Sequence, residues 1–384
     1  MADADVFDIL PEVPVSEQWE FVTDVLESYD GSQTRLSVLE TPRVSLDVRY
    51  QTIDFTARRS LYHTLSKAIL TAYAVPFFQY AAPLTADAAD SQPRVYFNPA
   101  LTNIRAGSGA VLYNVLTGST ELFTVDTVET DGATFTTDLA NAQTSGLVVC
   151  VPAPQCVLPD GQRLASGQNA SSASINVQPL ESIDLQRPDA SVTITTFDSL
   201  NVLTQPVLNV TGESWLYRKE IIDGGVGKIT VSSRNDYSRV SRTVEFEALR
   251  SAGGLDYWRE FFATCRGGQV SFLLSTQLPD LSLTTTPSGG ATTLAVDEAA
   301  TYAVYLFPNP SFKRIAIEYS DGTATSYHVV DSVTPTTITL GTAISSTAIG
   351  KISFLQRVRA SDRVRLDHFQ DVTVVKFDVL TVKD

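Results

Sequence analysis

The chain has 384 residues, 43% of them hydrophobic and 18% charged, the composition of a globular protein, and no apolar run approaches the ~20 residues of a membrane span. Forty-three acidic residues against 28 basic ones leave a formal charge of −15, which argues against nucleic-acid binding over a broad surface and is compatible with an acidic conduit wall along which DNA slides. Three cysteines are an odd number; Cys150 and Cys156 would stand about 20 Å apart with the intervening residues extended, so structural thiols in a reducing compartment are expected, Cys265 among them.

The first ten residues, MADADVFDIL, are acidic where a secretory signal would be basic, so no export is expected. Asp3, Asp5 and Asp8 read as a solvated arm. Trp19-Glu20-Phe21 then opens a stretch that runs to Tyr29-Asp30-Gly31. Val38, Val44, Leu46, Val48 and Tyr50 alternate with polar residues, Asp47 and Arg49 among them, as a half-buried strand requires. Leu61, Leu65 and Ile69 recur at helical spacing, and a β-forming stretch, Val75-Pro76-Phe77-Phe78, follows. Short strands punctuated by Asp131-Gly132 predict a small inserted β-domain over about 92–150, because the closing strand of the parent domain, Ile175 to Leu180, comes only afterwards. Residues 186–205 read as a linker, part of which can pair with a sheet.

The same series then returns. Trp215-Leu216-Tyr217 stands 196 residues after Trp19-Glu20-Phe21 and leads to Asp223-Gly224. Val240, Val244 and Phe246 alternate with Arg242, Glu245 and Glu247; Trp258, Phe261, Phe262 and Cys265 stripe a helix between Gly253-Gly254 and Gly267-Gly268. Val270 to Leu274, an insertion over about 290–353 with Asp321-Gly322, and a closing strand from Val372 to Leu380 complete the copy. The segment from Val95 matches that from Val304, Phe123–Val128 matches Tyr327–Val333, and Gln155–Leu164 matches Gln356–Leu366, with offsets drifting between about 194 and 209 as loop indels allow. The expected fold is therefore mainly β: two tandem homologous β-sandwich or β-barrel domains, residues 1–185 and 206–384, each with one α-helix and an inserted small β-domain. Trp19, Trp215, Trp258, Phe261 and Phe262 are the candidate duplicated core, and internal symmetry points to a building block more than a catalyst.

Catalytic signals are absent from the pattern. His63, His328 and His368 fall at unrelated positions of the two copies and pair with no cysteine, so surface or packing roles are expected. No C-x-x-C, H-E-x-x-H or EF-hand spacing occurs; neither enzyme activity, a cofactor nor a metal is expected. Asp223 to Lys228 fails as a phosphate loop in both spacing and context, Asp87 and Asp90 read as a solvated loop, and the glycosylation patterns at Asn169 and Asn209 lack a secretory route. The arginines stand out. Arg35, Arg43, Arg239 and Arg242 flank or decorate corresponding strands, and Arg163 aligns with Arg365; their planar forks suit subunit contacts, the alternative being charge protection of sheet edges.

Three features together, Tyr29-Asp30-Gly31 with Arg35, the run from Leu255 through Trp258, Phe261, Phe262 and Gly267-Gly268 to Phe272, and the close Ser361-Asp362-Arg363-Val364-Arg365-Leu366-Asp367-His368, resemble distal tail and baseplate proteins of long-tailed bacteriophages and gene transfer agents. The resemblance implies a structural virion protein, assembled in the bacterial cytoplasm, that forms a ring at the tail tip or a tail junction and contacts the tail tube and hub or fibre proteins. With the unit present twice per chain, a trimer supplies six units; a hexamer is the alternative. A second reading is a carbohydrate-binding tail protein whose insertions present Tyr96 with Tyr113, or Tyr302 with Tyr319, to a glycan. For a hydrolase, no carboxylate pair can be singled out.

Overall fold

The computed structural model of the chain describes residues 6–7, 10–27, 33–39, 41–52, 55–67, 72–159, 162–166, 171–180, 192–217, 219–223, 225, 229–233, 238–251 and 253–382. Asp3, Asp5, Asp8, Tyr29-Asp30-Gly31, Ile69, Asn169, Gly224 and Gly227-Lys228 lie outside them. Among the described residues, no helix is long and apolar enough to cross a membrane.

The fold is mainly β. In the first copy β1 (Glu12–Glu20) is followed by a hairpin of β2 (Thr23–Glu27) and β3 (Gln33–Ser37), then by β4 (Arg43–Thr52) and α1 (Phe55–Lys67). After an inserted unit the copy closes with β5 (Arg163–Ser166) and β6 (Ser171–Pro179). The second copy repeats the order as β7 (Val207–Leu216), β8 (Lys219–Ile222), β9 (Thr230–Ser233), β10 (Arg239–Leu249) and α2 (Gly254–Cys265). Its own inserted unit leads into β11 (Ile349–Phe369) and β12 (Val372–Thr381). Val44, Leu46, Val48 and Tyr50 of β4 are buried while Asp47 and Arg49 are exposed, the two-residue period of a sheet with one wet face.

Pairing recurs as well as order. Trp19 stands opposite Val44 in β1·β4, and Trp215 opposite Val240 in β7·β10. Leu164 faces Ala173 in β5·β6 as Leu366 faces Val375 in β11·β12; Ala173 in turn faces Tyr50, and Val375 faces Phe246. The hairpins β2·β3 and β8·β9 correspond too.

The two copies do not keep separate sheets. β1 is hydrogen-bonded to β4 on one side and to β11 of the second copy on the other, which makes one antiparallel run of eight strands, β5–β6–β4–β1–β11–β12–β10–β7. One core lies on its inner face and draws on both halves: Trp19, Phe21, Leu46 and Tyr50 pack in the same cluster as Phe246, Trp258, Phe262 and Phe377. Four strands and a helix leave a raw edge on each copy, and joining the edges satisfies the backbone while it buries apolar surface. Part of the linker also joins a sheet, as Leu200–Leu203 pairs in parallel with Phe272–Ser275.

Each insertion has its own core. The first is a six-stranded sheet whose strands reach from Ala82 to Pro152, with Leu84, Val95, Phe97, Phe123 and Phe135 inside; it begins at Ala82 rather than at 92. The second core starts at Leu281 rather than at 290 and ends at Phe354. Both early starts are two-residue or single-bridge pairings, Ala82–Pro83 and Leu281 with Ile352, too short to register as periodicity. In each insertion an Asn-Pro turn caps itself: Asn98 Oδ1 accepts from Ala100 N at 3.0 Å and Asn309 Oδ1 from Ser311 N at 3.0 Å. β11 runs unbroken for 21 residues from insertion into parent sheet, whereas Pro152, Pro154 and Pro159 divide the same path in the first copy by removing ladder donors.

Trp215 departs from the expected duplicated core. Trp19, Trp258, Phe261 and Phe262 are buried, but Trp215 is 47% exposed, because β7 lies at the end of the sheet with no strand beyond it among the described residues.

Candidate assembly surface: the seam between copies and its open counterpart

The seam where β1 meets β11 places Trp19 opposite Val364, Gln18 opposite Arg365 and Glu20 opposite Arg363. Its wet face is tied by charge. Arg363 reaches Glu20 at 3.0 Å, Ser16 donates to Asp367 at 2.5 Å, and Arg365 bridges Asp367 at 2.9 Å and Ser16 at 3.2 Å. Solvated pairs of this kind contribute roughly 0.2–1 kcal/mol each, so their value lies in fixing register.

The buried face holds a polar cluster. Val15, Glu17, Trp19 and then Phe21 alternate inward, and so do Val364, Leu366 and His368. The Glu17 carboxylate accepts from Trp19 Nε1 at 2.6 Å and from Tyr80 at 2.5 Å, and it lies 3.0 Å from His368 Nε2; His368 Nδ1 bonds Thr373 at 2.9 Å. Burial alone would raise the Glu17 carboxyl, but the hydrogen bond and charge of His368, with Tyr80 and Trp19, hold it at about 2. Arg259 of α2 stacks over the Tyr80 ring at 4.8 Å and pairs with Asp256 at 3.1 Å.

α2 seals the seam from within. Phe262 meets Trp19 edge-on at 6.1 Å and Phe21 at 6.3 Å. The helix ends with Arg266 and Gly267 both left-handed, and a Cβ on Gly267 would fall 2.5 Å from Phe21 Cβ. Phe21 N donates to Asp362 O at 2.7 Å, and Arg35 of the β2·β3 hairpin donates to Gly268 O at 3.0 Å.

The equivalents of these residues in the second copy stand open. Glu17, Trp19 and Phe21 are 3%, 0% and 3% exposed; Trp215 and Tyr217 are 47% and 58% exposed, and the Glu213 side chain is 44% exposed. Ile221, Ile222 and Val231 of the β8·β9 hairpin are exposed with them. At the other end of the sheet, β5 pairs only with β6 among the described residues.

The sheet face turned away from the core is polar: Ser16, Asp47, Arg49, Arg163, Asn176 and Arg365 line one hollow on it. Basic and acidic groups mix on it, Lys376 with Glu245 at 2.6 Å besides the seam pairs, and Asn176 donates to Asp47 at 2.8 Å, so this face is not uniformly acidic.

Of the six sequence-selected arginines, Arg35 and Arg365 bridge the copies and Arg163 lies exposed on the open β5 edge. Arg43 is exposed beside the seam, opposite Glu20. Arg239 is buried within β10, and Arg242 bonds Gln356 and lies 3.7 Å from Glu213, so these two act inside the fold. Neither tyrosine pair makes a glycan platform: Tyr113 is buried against Phe78 in a strand whose residues Ala110 to Tyr113 are all buried, and Tyr302 is buried at the start of a helical turn with its hydroxyl on Phe312 O. Asp87 clasps Ser145 at 2.7 Å in its loop, His63 is exposed on α1, and His328 is buried between Ser326 and Thr342. Glu17 and His368 in its pairing role were not singled out by sequence, and Gly267 was read only as a helix stop. Polar residues at inward positions of alternating strands were the available signal. Among the described residues no three His, Cys, Asp or Glu side chains cluster as a metal site would require. No protein-family model matches the chain, and no curated protein matches it.

Proposed function

We propose that this chain is a structural virion protein that forms a ring at the tail tip or a tail junction of a bacteriophage, linking the tail tube to hub or fibre proteins. The observation that carries the reading is one topology used twice in a continuous sheet whose two end strands each pair on one side only among the described residues. An open edge is a template for another strand, and a chain with two complementary edges closes with copies of itself into a ring. Three chains contribute six modules and twenty-four strands, a number that meets a sixfold tube with pseudo-sixfold symmetry.

A closed barrel of that size is about 48 Å across between backbones, from a strand spacing near 4.8 Å and a tilt near 40°. Helices and core occupy one face of the sheet, so the polar face with its mixed charges would line the lumen. The exposed apolar hairpins, with Val25 and Leu26 in the first copy and Ile221 and Ile222 in the second, would project from the wall toward neighbouring tail components.

Quantitative mass spectrometry of purified virions tests the reading. The expected result is this chain at three copies per virion, however many layers the tail tube has. Virions that lack it overturn the proposal.

A further inference from the structure

We propose that the ring closes by pairing β7 of one chain with β5 of a second copy, antiparallel and in the register of the internal seam, so that Ser214 stands opposite Arg163 and Trp215 opposite Gln162. The inference rests on the ring reading and adds the edges, the register and the residues sealed.

The register follows from two correspondences already present in the chain. β7·β10 repeats β1·β4 from Ser214 to Leu216, and β5·β6 repeats β11·β12 through Leu164 and Leu366. Carrying Gln18 opposite Arg365 and Trp19 opposite Val364 through both gives the stated pairs. The bulge between Thr211 and Ser214 restricts the prediction to the end of β7 nearest Trp215.

Burial argues for the same occupant. Three residues that are sealed in the first copy have exposed equivalents in the second, and the difference between the sites is that Glu17, Trp19 and Phe21 lie against β11 of the other copy while Glu213, Trp215 and Tyr217 have no strand beyond β7 among the described residues. A second copy presents the missing parts. Its β5 supplies the strand, and Leu65 of its α1, partly buried in the isolated chain, stands one helical turn beyond Leu61 as Phe262 stands beyond Trp258. Trp215 would then rest on Leu65 as Trp19 rests on Phe262. The β8·β9 hairpin, exposed at Lys219–Ile222 and at 230–232, would lean on that copy as β2·β3 leans on Gly268.

The test is a disulfide across the new pair. Ser214 and Arg163 are both exposed, and Cys150, Cys156 and Cys265 are buried and do not compete. The double variant Ser214→Cys, Arg163→Cys should give a ladder of covalent oligomers under mild oxidation, and either single variant should not. Rings that assemble without the cross-link overturn the edge pairing and leave the ring reading standing; a chain that stays monomeric overturns both. A cross-link that forms in a protein missing from virions overturns the tail assignment alone. Should the double variant misfold, Trp215→Asp in the otherwise native chain takes its place: assembled mass should fall to that of one chain, and an unchanged ring overturns the pairing.

Discussion

The Glu17 carboxylate lies 3.0 Å from the imidazole of His368 across the seam, with both side chains 4% exposed. A buried pair of this kind is costly to break, because removing one member strands the other's charge and hydrogen bonds. Glu17→Gln keeps the shape and loses the charge; it should destabilise the chain by about 3–5 kcal/mol in denaturant unfolding. A loss below about 1 kcal/mol would mean that the pair contributes little beyond neutral hydrogen bonding.

The same carboxylate sets an acid limit. Its folded value of about 2 lies below the ordinary 4.5, so its contribution is complete above about pH 4.5 and disappears as pH falls toward 2. That contribution is about 3 kcal/mol. Plotted against pH, the stability difference between wild type and Glu17→Gln should shrink through this window; a difference constant from pH 6 to 2 would remove Glu17 as its source.

Gly267 is fixed by contact as well as by conformation. Its φ of +62° disfavours a side chain, and the methyl of Gly267→Ala would meet Phe21 from the other copy. The expected cost is about 1–3 kcal/mol, read as a lowered Tm. Gly290→Ala, also at positive φ but with nothing within 4 Å, should cost less and separates strain from contact.

Much of this architecture was readable because burial repeats with a period. Alternation marked β4 and β10, the Trp258-Phe261-Phe262 stripe marked α2, and the recurrence in order of the segments that follow Trp19 and Trp215 marked the duplication. What periodicity could not convey was which copy covers which. Trp19 and Trp215 occupy the same strand position, yet one is sealed by β11 and α2, and the other meets no strand beyond β7 among the described residues. Likewise Glu17 and His368 hold inward positions in strands hundreds of residues apart, and only their meeting at the seam makes a charged residue tolerable there.

The thiols give a check on core integrity. Cys150, Cys156 and Cys265 are buried and free, and burial pushes the Cys265 thiol up to about 12, leaving almost no thiolate near neutrality. A thiol reagent should therefore modify none of the three promptly in native protein and all three after denaturation. Prompt reaction of one thiol would locate a region that opens locally.

Trp19 and Trp215 separate folding from assembly. Trp19→Ala empties a fully buried site and should cost about 3–5 kcal/mol of single-chain stability. Trp215→Ala removes an exposed side chain and should change single-chain stability by no more than about 0.5 kcal/mol, while assembled mass by light scattering falls. Because the two residues sit at equivalent positions, differences in strand propensity largely cancel in the comparison. Equal destabilisation by both would mean that Trp215 packs within its own chain, and an unchanged mass for Trp215→Ala would mean that β7 is not the edge on which the ring closes.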